Sequence, residues 1–252
     1  MNSADLVRAI RDHDWGVVDR AASAPADADD AVAAALAGLD EAARELAVAV
    51  VARRDGLRAG ELLLKLLADL DLQVVAFAAK SLSEIHHLPD PTALLAAAAK
   101  ETEPFVRECL YQAVGRTGRK DVLESLRKST AREIDARARS WAEAALVRLG
   151  APAERETLRK RIPTAPPDDA EFLCDQVVYI GDRSLAKAML PWAEDEEPVR
   201  ALDPHGRPVI VRMCDLVVWT AHRLGVSVQP PPRALGRYAT ETIRSATAGL
   251  RA

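Results

Sequence analysis

The sequence predicts an all-α fold: a right-handed α-α superhelix of about six helical hairpins with a capping helix at each end. Composition is the first indication. Of 252 residues, 49% are hydrophobic but only 4% aromatic, and alanine is abundant. Alanine is the strongest helix former and lets helices approach closely. Periodicity is the second. Six segments share one apolar pattern and end at positions 55, 86, 118, 150, 181 and 225, so that successive spacings are 31, 32, 32, 31 and 44. The third is a second short apolar stretch between consecutive segments. A pair of such helices cannot bury its own apolar face, and stacking on the next pair does so.

In chain order, residues 1–26 predict an N-terminal cap, 27–225 the repeats and 226–252 a C-terminal cap, all within one domain. Each repeated segment is numbered from slot 0 to slot 12, slot 12 being its closing residue. Slots 3, 4, 7, 8 and 11 are mostly apolar; slot 3 reads Leu46, Phe77, Cys109, Trp141, Phe172 and Leu216. An advance of about 100° per residue gathers these slots on one helix face. Gly118, Gly150, Gly181 and Gly225 close four segments, where a left-handed C-cap is cheapest for glycine. Asp55 and His86 take that slot in the other two. Asp40, Asp71 and Glu103 stand at helix starts as caps, and Pro91 and Pro104 suit first-turn positions. The intervening helices are predicted over 60–70, 91–101, 121–129 and 184–192. The long last spacing falls in AEDEEPVRALDPHGRP at 193–208, which predicts an inserted surface loop carrying the acidic run Glu194 to Glu197. QPPPR at 229–233 ends the array before a final helix.

The phrases VRxxLxxAVxxTG at 106–118 and ARxxAxxALxxLG at 138–150 resemble the HEAT repeat family, including its bacterial lyase-like branch. The resemblance covers residues 27–225 and is specific for fold, not function. The family's slot-1 arginine appears as Arg44, Arg107 and Arg139 and is replaced by Val75, Ala170 and Cys214 elsewhere. The resemblance implies that the repeated helices line a concave face.

Helix geometry sets slots 2, 5, 6 and 9 opposite the apolar centre. Slot 2 carries Glu45, Glu108, Glu171 and Asp215, with Ala76 and Ser140 between. The other slots add Tyr111, Gln112, Asp175, Trp219 and His222, so the expected groove is mildly acidic and richer in large side chains towards the C-terminus. Tyr111 and Trp219 are expected to be exposed, as anchor residues of an interface often are. These nine residues are the candidate partner-binding set. The slot-10 arginines, Arg53, Arg116, Arg148 and Arg223, are read as structural ion pairs.

The net charge is −4, which argues against nucleic acid, since phosphate binding needs a cationic surface. No apolar run is long enough to span a bilayer, and the N-terminus lacks the apolar stretch of a signal peptide. Three cysteines without a CxxC fit a reducing, cytoplasmic setting. No phosphate loop, dinucleotide fingerprint or metal-spaced cluster occurs, so no cofactor or metal is expected. His86 and His87 read as helix-terminal capping residues. The expected function is a scaffold binding another protein with a basic surface. The alternative is a HEAT-fold enzyme, lyase-like or DNA-glycosylase-like, using Asp175, Asp215, Trp219 and His222.

Overall fold

The computed structural model describes residues 1–203 and 206–252; His205 and that part of the 193–208 stretch lie outside them. The chain divides into two compact units, Met1–Leu149 and Gly150–Ala252. In the first, α1 (Ser3–Arg11) and α2 (Val17–Ala21) cap a row of helix pairs: α3 (Ala28–Ala35) with α4 (Glu41–Arg54), α5 (Ala59–Leu66) with α6 (Leu72–Leu82), α7 (Pro91–Ala98) with α8 (Pro104–Arg116), and α9 (Leu123–Arg132) with α10 (Ala136–Arg148). The repeated helices pack in sequence, α4 on α6, α6 on α8 and α8 on α10. Leu46, Leu82, Leu110 and Leu146 lie buried along this row. Phe77, at the margin of the apolar face, stays partly exposed.

The second unit holds α11 (Pro152–Arg161), α12 (Pro167–Ile180), α13 (Arg183–Ala186) running on into a 3-10 stretch (Lys187–Glu194), strands β1 (Pro198–Leu202) and β2 (Pro208–Arg212), α14 (Met213–Arg223) and α15 (Thr240–Arg251). All six repeated segments are therefore helical, and among the described residues the protein is all-α apart from one small sheet. The tail helix begins only at Thr240, well after the prolines that end the array.

The stretch read as an inserted loop is in part an antiparallel hairpin, with Val199 opposite Val211 and Ala201 opposite Val209. The physical reason is alternation: Val199, Ala201 and Val211 point inward, while Pro198, Arg200, Leu202, Pro208 and Ile210 point outward. Each strand begins with proline, which lacks the N–H a central position would need.

Local chemistry sets the helix ends. Asp40, Asp71 and Asp135 accept backbone N–H groups of the first turns of α4, α6 and α10, relieving donors that no helix can satisfy internally. Glu103 heads α8 without such a bond. Gly118, Gly150, Gly181 and Gly225 all adopt positive φ, and so does Asp55, at 45°. Asp55 remains an aspartate because its carboxylate accepts the backbone N–H groups of His86 (2.8 Å) and His87 (3.0 Å). This corrects the reading of those histidines as caps. Helix α6 ends at Leu82, and His86 and His87 instead tie their turn to the preceding repeat.

Candidate functional site

The slot-1 arginines organise the joints between repeats in the first unit. Arg44 pairs with Asp69 (Nε–Oδ2 2.8 Å). Arg107 donates from Nε and Nη2 to both oxygens of Glu133, each at 2.8 Å, and from Nη1 to the carbonyl of Thr102 (2.7 Å). Asp69 and Glu133 each lie five residues before slot 0 of the next repeat, so the arginine of one repeat holds the turn of its successor. Glu133 also accepts the Tyr111 hydroxyl (3.2 Å) and the N–H of Asp135 (3.0 Å). These bonds hold Glu133 below the usual carboxylate range against its burial, while burial and the Glu133 charge push the Tyr111 phenol up to about 12. Val75 replaces the arginine in the second repeat, and there Glu101 folds back on the N–H groups of Thr102 and Glu103. Across that joint Arg116 donates instead to the carbonyl of Ser83 (2.8 Å), at the other end of the helices.

The candidate binding residues fall into separate environments. In the first unit Glu45 and Gln112 are half-buried, but Glu108 and Tyr111 are buried. Both burials correct the expected exposure. Tyr111 lies four residues beyond Arg107, hence on the same helix face, turned into the joint. Glu108 lies under Arg137 of the next repeat (3.3 Å). Burial outweighs that arginine and raises the Glu108 carboxyl above its ordinary range.

In the second unit Glu171 accepts the N–H of Leu202 (2.5 Å), fastening the hairpin to α12. Asp175 is exposed and pairs with Arg223 (3.0 Å). Asp215, expected on the open face, is fully buried. It sits in the first turn of α14, where its carboxylate accepts the Arg212 N–H (2.8 Å) and the Tyr238 N–H (2.9 Å) and holds the Arg212 guanidinium at 2.9 Å through both oxygens. This is the reciprocal cap expected of an acid three residues into a helix, and the pair raises the affinity of Arg212 for its proton. Asp215 therefore braces the hairpin and the C-terminal segment. Trp219 and His222 are half-buried, and their rings lie 6.1 Å apart between centroids, tilted by 40°. Cys109 and Cys174 are buried, and desolvation pushes their thiols up to about 12, far from thiolate chemistry at neutral pH.

Glu133 and Arg212 are the residues that the sequence reading passed over. A signal for Glu133 was present: slot −5 is acidic in three successive repeats, as Asp69, Glu101 and Glu133. Arg212 precedes α14 and carries no repeat signature.

The comparisons agree with this architecture. The family model for HEAT repeats matches residues 60–147, the stretch from α5 to α10. No curated protein matches the chain. Among solved structures, the complex of CpcE and CpcF of phycocyanin lyase from Nostoc sp. is similar, with a TM-score of 0.55 and 19% identity over 94% of this chain and 86% of that one. At that identity the likeness is one of fold. Residues 60–147 of the chain are thus similar to HEAT repeats.

Proposed function

We infer that this protein is an interaction scaffold whose repeated helices present a partner-binding face, in each unit separately. The observation that carries the reading is how the acids on that face are used. Asp175 is matched by Arg223, and Glu108, nearly covered at its joint, by Arg137. Such pairing holds the side chains in place and leaves a rigid surface of mixed polarity, which is the form protein interfaces take. In the second unit the half-buried Trp219 and His222 rings supply the aromatic anchor; in the first, Glu45 and Gln112 are the accessible polar contacts. The acidic balance of the chain suits a partner with a basic surface. HEAT arrays and the two-chain complex seen for the structural neighbour support a protein as that partner.

The test is co-purification from the native cell, followed by affinity measurements on the recovered protein. Trp219→Ala is expected to weaken binding about ten-fold or more, and Glu45→Lys to reduce it further at low salt. An affinity that neither substitution changes rejects this face.

A further inference from the structure

The turns that enter the repeated helices of the first unit form an unpartnered apolar edge. Leu70 is 100% exposed, Leu72 67%, Phe105 48% and Ile134 88%. They belong to the same turn of three successive repeats; Leu70 and Ile134 both occupy slot −4, and Leu72 stands two residues further on. Phe105, in the first turn of α8, supplies the repeat between them, whose slot −4 is Thr102. Between the last two turns opens a pocket of about 740 Å³, lined by Ala98, Pro104, Arg132 and Ile134 among others. Isolated exposed apolar side chains are ordinary, but a row at the same turn of three successive repeats is not.

Charge is sorted across this row. On one side lie the ends of the first helix of each pair, carrying Lys65, Lys100 and Arg132; on the other lie the starts of the repeated helices, carrying Asp71, Glu103 and Asp135. The helix dipole favours this distribution. The three bases, and Glu103 opposite them, make no side-chain ion pair among the described residues. On the acidic side Glu41 and Asp71 crowd each other, and that contact raises the Glu41 carboxyl.

We propose that this edge is an isologous interface with a second copy of the chain. Rotation by 180° about an axis along the row brings apolar row onto apolar row and, because it exchanges the two sides, lays the bases of each copy over the acids of the other. Lys65 then faces Asp71 and Glu41 of the second copy, Lys100 faces Glu103, and Arg132 faces Asp135. Lys65, Lys100, Arg132 and Glu103, which form no side-chain ion pair within one copy, each gain an opposite charge from the same repeat of the other, a self-complementarity that favours a second copy over an unrelated partner.

Sedimentation velocity on the full chain, from about 1 to about 200 µM, tests this. The wild type is expected to pass from monomer to dimer. Leu70→Asp combined with Ile134→Asp, both at exposed positions, is expected to raise the dissociation constant about ten-fold or more with unchanged circular dichroism. Lys100→Glu and Glu103→Lys should each weaken self-association by setting like charges opposite each other. An equal mixture of the two restores the pairing and should recover the dimer. A wild type that stays monomeric throughout, a dimer indifferent to these substitutions, or a mixture that fails to recover overturns the proposal, as does an interface occupied only by a different protein.

Discussion

Single side chains in this protein act mainly across repeat boundaries. The Arg107–Glu133 pair is nearly inaccessible to water, and removing one partner of such a pair strands the other. Arg107→Ala is therefore expected to cost about 3 kcal/mol at pH 7, measured by urea unfolding. Because the folded-state pKa of Glu133 is lowered, its contribution is present above the unfolded value of about 4.3 and fades as pH falls through the folded value, so the penalty should shrink in acid. Glu108 has the opposite sign. Its folded-state pKa is raised by burial, so its contribution is complete below the unfolded value and is lost as pH rises through the folded one. Glu108→Gln is expected to raise Tm at pH 7 and to leave it unchanged near about pH 3.5, as scanning calorimetry at the two pH values would show. The sequence identified the slot-1 arginines but not their acceptors, since Glu133 lies in a turn and its role depends on which helix is stacked above it.

At the scale of the element, legibility followed the strength of the period. Segments ending at Gly118, Gly150, Gly181 and Gly225 lie on helices because a 3.6-residue stripe and a glycine stop agree. The hairpin was harder to see. Its alternation spans only five residues per strand, and the flanking prolines and acidic run read as loop. The expected exposure of slot 5 failed at Tyr111 because angle on an isolated helix says nothing about what the next repeat brings over it. Close packing also governs a position that propensity alone would misjudge. Gly60 lies in the first turn of α5, where alanine should help by about 1 kcal/mol. A Cβ there would stand 2.5 Å from the His87 carbonyl oxygen and 2.6 Å from Pro89 Cδ. Gly60→Ala is accordingly expected to destabilise by about 1–3 kcal/mol, with thermal unfolding as the measurement.

Across the molecule as a whole, the two units use the same repeat with different fastenings. Guanidinium-to-turn pairs join successive repeats in the first unit. In the second, Arg212, Asp215 and Tyr238 bind hairpin, helix and C-terminal segment. The two compact units, Met1–Leu149 and Gly150–Ala252, depend on which contacts form between distant residues rather than on any local pattern. The first unit contains one joint without its guanidinium pair, where Val75 stands in slot 1. Val75→Arg, placed to reach Glu101, is expected to slow amide hydrogen exchange at residues 101–103.

That joint carries its guanidinium bond at the opposite edge from its neighbours. Arg116 holds the carbonyl of Ser83 at one end of the helices, while at the other end Val75 offers Glu101 no guanidinium. Any change in the bend of the first unit is therefore expected to pivot between α6 and α8, widening the gap on the side where the exposed leucines stand.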